Sequence, residues 1–280
     1  MSTIAYLGPE NTNTHHAARQ QFGAGHSYLH APTVEEVFHL VERRRARYGV
    51  VPIENSLEGA VTHTLDRFID FQDSPARIHG EIELPIAHCL ISRPGVTLKR
   101  VRVVYSHPQA LAQCRRWLEK HLPKVHLSET NSTAEAVDRL VIAEPAPLWE
   151  LDVRAAIGRK ELAQTFQLKS ISIPEERENR TRFLVIGLGE PRRGGRSKTS
   201  ILMALKDRPG ALYDALVPFK RHGINLTKIE SRPSKQKAWE YLFFIDFTGH
   251  ATEPRVRQAL QALERSTSLL RVLGSYPVGK

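Results

Sequence analysis

Cysteine is almost missing from this chain: of 280 residues, only Cys89 and Cys114 carry a thiol. Two cysteines build neither a disulfide framework nor a cysteine-ligated metal cluster, so an apolar core must hold the fold. No stretch approaches the run of about 20 apolar residues that crosses a bilayer as a helix, and no membrane partner is expected. The opening Met1-Ser-Thr-Ile-Ala-Tyr-Leu-Gly-Pro has no basic segment followed by an apolar one, so a cytoplasmic location is expected. A GxSxG elbow, a GxGxxG after a strand, a P-loop and an HExxH pair are all lacking, which removes several common enzyme chemistries. The 13 histidines are scattered, and adjacent His15 and His16 point apart on a helix. No metal and no cofactor is expected.

Acidic charge is scarce at one end only. The net charge is +10, yet residues 1–190 hold 23 Lys/Arg against 23 Asp/Glu, and residues 191–280 hold 17 against 7. A protein gripping a phosphate backbone concentrates charge on a binding element with aromatics or a recognition helix nearby. Here the excess begins in a linker and spreads thinly, so nucleic acid is not an expected partner. The run Arg43-Arg44-Arg45-Ala46-Arg47 reads as the close of a helix, where cations complement the dipole.

What the chain does have is alternation of strand-like and helical stretches. The sharpest boundary is Gly187–Lys198, rich in glycine and like charge. Before it, Ile4–Leu7, Gly49–Ile53, Ile86–Ser92, Val101–Tyr105, a stretch near Val125, Ala155–Ile157 and Phe183–Ile186 read as strands. Helices are expected at Thr14–Phe22, Val34–Arg45, Val61–Phe71, Pro108–His121 and Thr133–Ala143. Such alternation implies mostly parallel sheets, with ligands beyond the carboxyl ends of the strands. After the boundary the order is β-α-β-β-α-β: Ser200–Leu205, Ala211–His222, Asn225–Ser231, Glu240–Phe247, Pro254–Leu263 and Leu270–Tyr276. That is the ferredoxin-like arrangement, which by itself says little about function.

Four polar clusters fall at strand ends or helix starts. Gly8-Pro9-Glu10-Asn11-Thr12-Asn13-Thr14 is an anion site or an ordinary N-cap. Glu54-Asn55-Ser56 follows an apolar strand and is a ligand contact or a turn. In Ser106-His107-Pro108-Gln109, Pro108 suits the first helical position, which makes Ser106 or His107 the cap. Gln109 and Gln113 then share a helix face that either holds a carboxylate or is only solvated. The fourth, Glu178-Asn179-Arg180-Thr181-Arg182-Phe183, is a site or a polar strand entry. Asn131-Ser132-Thr133-Ala134-Glu135 reads as a capping box from Ser132 to Glu135.

Together the motifs say more. Val51–Ser56, Ser106–Gln109, Ala155-Ala156-Ile157-Gly158 and Asn179–Phe183 stand in the order and spacing of prephenate dehydratases. Downstream, Arg208-Pro209-Gly210-Ala211-Leu212, Ile224–Pro233 and Glu240–Asp246 resemble that family's ACT-domain signatures. The resemblance covers nearly the whole chain. It implies an α/β catalytic domain resembling periplasmic binding proteins, with two subdomains and the site in the cleft between them, plus a ferredoxin-like βαββαβ ACT domain. The expected limits are 1–186 for the catalytic domain, 187–198 for the linker and 199–280 for the ACT domain. Residues 1–80 with 168–186 are expected to form one subdomain and 81–167 the other.

The implied reaction removes water and carbon dioxide from prephenate to give phenylpyruvate. The resemblance implies Thr181, Asn55, Ser106 and Gln113 as catalytic, with Thr181 at the leaving hydroxyl. A threonine hydroxyl is a weak acid, so placement matters more than proton donation. Thr12, Glu54, Ser56, His107, Thr133, Arg182 and Phe183 are the implied substrate contacts. One carboxylate must leave as carbon dioxide, and pairing it tightly would stabilise the ground state, so neutral donors are expected around it. Gly210, Ala211, Leu212, Asn225, Glu230 and Ser231 are implied for an L-phenylalanine effector, with homodimers or dimers of dimers formed through ACT domains. Removing residues 191–280 is expected to leave activity and abolish inhibition. The first loop departs from the family in carrying Asn11 and Asn13, and Asn tolerates a left-handed backbone there. No helical extension precedes the first strand, so no fused chorismate mutase is expected. Rival readings are an arogenate dehydratase and a non-catalytic amino-acid sensor.

Overall fold

Alternating hydropathy gives alternating elements in a computed structural model of the chain, which describes residues 1–70, 73–141, 153–174, 178–191, 194–234 and 240–279. In chain order these are β1 (Thr3–Leu7), α1 (Asn13–Phe22), β2 (Ser27–Ala31), α2 (Val34–Glu42), β3 (Tyr48–Asn55), β4 (Gly59–Ala60), α3 (Thr62–Asp70) and β5 (Ala76–Pro85). Next come β6 (Cys89–Ser92), β7 (Val103–Ser106), α4 (Pro108–Gln113), α5 (Arg115–His121), β8 (His126–Glu129), α6 (Thr133–Val141), β9 (Arg154–Gly158), α7 (Lys160–Thr165), β10 (Lys169–Ser172) and β11 (Arg180–Leu188). The C-terminal run is β12 (Ser197–Leu205), α8 (Ala211–Arg221), β13 (Leu226–Pro233), β14 (Tyr241–Thr248), α9 (Pro254–Ser266) and β15 (Thr267–Pro277), which is the expected β-α-β-β-α-β order. No helix among the described residues is long and apolar enough to cross a membrane.

Two helices end earlier than their periodicity predicts. In α2, Val34, Val37, Phe38 and Val41 are buried and Thr33 caps the start, accepting from Glu36 N at 3.1 Å. The helix stops at Glu42 because Arg44 turns left-handed (φ 57°), so the basic run leads out of the helix and does not close it. The stretch Pro108–His121 is two helices, broken at Cys114 (φ −89°, ψ 2°). The end of the predicted Thr133–Ala143 helix lies outside the described residues.

The chain forms two compact units. One holds residues 1–7, 17–83 and 182–280, and the other holds 8–16 and 84–181. The expected division therefore differs at both joins. β10 belongs to the second unit because it pairs antiparallel with β6 (Ile171 opposite Leu90), and the return to the first unit comes inside β11. The first unit contains a six-stranded sheet, β2-β1-β3-β11-β5 with β4 on β3, and the C-terminal sheet, β13-β14-β12-β15. The second has the sheet β10-β6-β9-β7-β8, in which β7 runs parallel to β8 and β9.

The C-terminal module is no tethered appendage. Ile53, Leu65, Phe68, Ile78 and Leu184 share one core with Leu202, Leu242, Phe244, Leu273 and Tyr276 of its sheet. Each such side chain contributes about 1.5–3 kcal/mol when taken from water. The rings of Phe68 and Phe244 meet edge to face at 6.4 Å. β15 approaches β5 so closely that a Cβ on Gly274 would stand 2.2 Å from the Ile78 carbonyl oxygen. Through this core the C-terminal sheet belongs to the first unit.

Candidate active site

In the second unit, the parallel strands β7, β8 and β9 end together, and the polar clusters follow them. Such carboxyl edges are where open α/β sheets hold ligands. Ser106 is the last residue of β7. It is fully buried, and its hydroxyl donates to the Ile157 carbonyl oxygen of β9 at 2.8 Å. His107 is the cap of α4: its Nδ1 accepts from Gln109 N at 3.3 Å, and Pro108 fills the first turn. At the other end of α4, Gln113 Oε1 accepts from Asn179 Nδ2 at 3.0 Å. Asn179 is itself buried, and its carbonyl accepts from Ile86 N at 2.9 Å. Two residues on, half-buried Thr181 stands at the start of β11. Asn179 thus ties the entry to the Thr181 strand onto the helix that starts beside Ser106. No role for it follows from the sequence, although it lies inside the fourth cluster.

Thr133 is the half-buried first residue of α6. Ser132 Oγ accepts from Glu135 N at 3.0 Å as a capping box requires, but Glu135 Oε2 reaches back to Asn131 N. Thr12 caps α1 in the ordinary way, accepting from His15 N at 3.3 Å and donating to the Pro9 carbonyl at 3.0 Å. Asn11 adopts the left-handed backbone expected of it (φ 65°).

In the first unit, Asn55 ends β3 and is buried. Its Oδ1 accepts from Leu57 N at 3.0 Å and Glu58 N at 3.3 Å, so the side chain builds the turn into β4. Ser56 is exposed on that turn.

Three expected substrate contacts are otherwise engaged. Arg182 Nη1 donates to Asp246 at 2.7 Å and Glu81 at 3.1 Å, and Nη2 donates to Glu54 at 2.8 Å. Lys198 completes Glu81 with contacts of 2.7 and 2.8 Å, and Lys228 pairs with Glu54 at 3.0 Å. Asp246 also accepts from Ser200, whose hydroxyl lies 2.7 Å from buried Tyr276 Oη. The Glu81 side chain has no exposed surface and that of Arg182 is 12% exposed. Burial alone would lower the Arg182 pKa, but the adjoining carboxylates, Asp246 first, hold it above its ordinary value. Burial raises and then Lys228 and Arg182 together draw the Glu54 carboxyl below the usual carboxylate range. Both groups serve this ion network, which takes three of the five N–H donors of Arg182 and so competes with any contact to substrate. Phe183 is 1% exposed, which leaves no ring surface for a ligand.

Among the effector candidates, Gly210 has the left-handed φ of 78° that a glycine at the start of α8 supplies. Ala211 is half-buried, Leu212 is 37% exposed, and exposed Asn225 precedes β13, its carbonyl accepting from Thr248 N at 2.9 Å. Glu230 and Ser231 are consecutive on β13 and so point to opposite faces. Glu230 shares its side with Lys228 and Arg232, which pair with Glu54 and Asp66. A ligand on one face would meet one of these side chains directly and the other residue only through the strand backbone.

A family model described as prephenate dehydratase matches residues 4–191, and an ACT-domain model matches residues 199–265. A bifunctional chorismate mutase/prephenate dehydratase of Aquifex aeolicus is 48% identical over 276 residues, covering 98% of this chain and 73% of its own length. The crystal structure of a prephenate dehydratase from Arthrobacter aurescens, solved with L-Phe, is similar with a TM-score of 0.86 and 36% identity over 98% of this chain and 89% of its own. GqqA, described as a novel type of quorum-quenching acylase, has a TM-score of 0.84 and 27% identity, covering 99% of this chain and 98% of its own.

Proposed function

This chain belongs to the prephenate dehydratase family, and on that footing we propose how its residues share the work of the elimination. Prephenate dianion and one proton give phenylpyruvate anion, carbon dioxide and water. The bond to the ring carboxylate breaks, its electron pair enters the ring, and the ring hydroxyl leaves with the proton. Aromatisation drives the reaction, so the protein has to orient the substrate and help the hydroxyl depart. Thr181 donates a hydrogen bond to that oxygen, and its weak acidity makes placement its main contribution. Gln113 and Asn55 orient the ring groups, and Ser56, Thr12, Thr133 and His107 supply neutral donors. The Gln113–Asn179 hydrogen bond carries this reading, since it fixes the approach to Thr181 relative to α4. Ser106 acts by holding β7 to β9, its hydrogen being given to Ile157.

An acylase is the second reading, suggested by the likeness to GqqA. Acyl transfer by a side-chain nucleophile needs a base beside it. Ser106 donates instead to a backbone carbonyl, and His107 Nδ1 already accepts from a backbone amide. The lyase reading is therefore preferred. L-phenylalanine binds at the ACT domain near Gly210 and Asn225, copies of the chain associate through that domain, and the protein works in the cytoplasm. Effector binding inhibits only if phenylalanine prefers the less active state.

Incubating purified protein with prephenate, with and without phenylalanine, tests the assignment. Phenylpyruvate should form and phenylalanine should suppress it. Failure to form product at neutral pH overturns the enzyme reading, and faster turnover of arogenate reassigns the substrate.

A further inference from the structure

Arg159 stands directly after β9, at the carboxyl edge where Ser106 and His107 lie, and it is only 8% exposed. Its carbonyl accepts from Leu162 N at 3.1 Å, but among the described residues its side chain has no hydrogen bond and no ion pair, and its Nε is buried without a partner. Burial lowers its pKa, and exposed Glu161 offsets that only in part. A buried guanidinium without a counter-charge is costly, so such a group commonly awaits an anion. Buried Arg67 also has an Nε and an Nη1 without a hydrogen-bond partner, and the contrast with it and with half-buried Arg182 lies in the counter-charge. Arg67 pairs with Glu42 at 2.9 Å and Arg182 with three carboxylates.

Its direction follows from the strand. Ala155 and Ile157 lie in the core cluster that includes Ala110 and Leu111 of α4, while Ala156 faces the cluster of α6 and α7. Arg159 keeps an extended backbone (φ −80°, ψ 152°), so alternation carries it to the Ala155–Ile157 side. That is the side of α4, the helix that follows Ser106 and ends in Gln113.

We propose that Arg159 is a substrate-binding residue that holds the side-chain carboxylate prephenate keeps when it becomes phenylpyruvate. This rests on the dehydratase reading. The choice between the two carboxylates is chemical. A cation on the departing carboxylate would stabilise it against loss and oppose the reaction. A cation on the retained one binds substrate, transition state and product alike, so it lowers KM without raising kcat. Neutral donors around the first carboxylate and one arginine on the second reconcile a charge-balanced catalytic part with a dianionic substrate.

The test compares full-length wild type with Arg159→Gln and Arg159→Lys. For the Gln variant, KM for prephenate should rise about 10- to 100-fold, the range for a lost hydrogen bond between charged groups, with kcat little changed. The Kd of phenylpyruvate by calorimetry should rise by a similar factor, because the product carries only the retained carboxylate. The ligand-free Gln variant should melt no lower than wild type, since an unpaired buried charge has been removed. Lys should recover part of the affinity. Unchanged KM and Kd, or a lower Tm showing that Arg159 is paired within the fold, would overturn the proposal. If wild type makes no phenylpyruvate, the dehydratase reading falls, and phenylpyruvate binding still decides whether Arg159 holds a carboxylate.

Discussion

Thr181 and Arg182 are neighbours in one strand, yet they do different things. If Thr181 Oγ acts on the departing hydroxyl as proposed, Thr181→Ala should lower kcat by at least about 100-fold while KM changes little, the pattern of an interaction made in the transition state. Steady-state kinetics with prephenate checks this, and near wild-type turnover would remove Thr181 from the mechanism. Arg182 acts on stability. Replacing it with Gln leaves the carboxylates of Glu81 and Asp246 buried with less counter-charge, a change that costs about 3–5 kcal/mol in comparable buried pairs. Urea unfolding would show it. Glu54 brings a pH dependence of known sign. Its folded pKa lies below the ordinary value of 4.5, so its stabilisation is present above that value and is lost as pH falls through the folded pKa. Below about pH 4.5, Glu54→Gln should therefore lose stability less steeply than wild type. Equal slopes would show that Glu54 is not tied to Lys228 and Arg182. The motifs around Thr181 were legible because they are local. The work of Arg182 was not, since its partners lie 64, 101 and 128 residues away in sequence.

Among the elements, the C-terminal β-α-β-β-α-β order reads directly from the sequence, because apolar runs form β12 and β14, β13 alternates, and Pro254 and Gly210 mark helix starts. β5 is not predicted, although Ala76, Ile78, Ile82 and Leu84 follow a period of two. Gly80, Glu81 and Glu83 dilute the signal, and buried Glu81 breaks the rule that charge faces water, because its counter-charges come from β11 and β12. The break between α4 and α5 leaves no mark in hydropathy, since apolar spacing runs on through it. Gly274 shows the same limit. Nothing around it marks a turn, yet β15 needs the missing side chain to lie against β5 at Ile78. Gly274→Ala must push backbone from backbone and should cost about 3 kcal/mol, the upper end of overpacking, lowering Tm by roughly 6–12 °C. An unchanged melting temperature would mean that the two strands part easily.

At the scale of the molecule, a glycine-rich boundary and a change in charge composition suggest a detachable regulatory module, and the structure opposes that reading. Leu202, Leu242, Phe244, Leu273 and Tyr276 close the core begun by Ile53, Phe68 and Ile78. Lys198 and Asp246 complete the charges of Glu81 and Arg182. A boundary in composition marks where the chain changes module and carries no information on how much surface the modules share. Removing residues 191–280 would expose that apolar face and take one counter-charge each from Glu81 and Arg182, so activity that outlives loss of inhibition is no longer expected. The truncated chain should be aggregated or poorly folded and inactive, as size-exclusion chromatography and near-ultraviolet circular dichroism would show. A milder change separates core from charge. Asp246→Asn keeps every apolar contact and removes one counter-charge from Arg182, so it should fold with a lowered Tm. Because Arg182 adjoins Thr181, this ACT-domain variant should also lower kcat for prephenate more than it raises KM. A truncated chain with native spectra and full turnover, or an Asp246→Asn enzyme equal to wild type in Tm and kcat, would return the C-terminal domain to the status of an independent module.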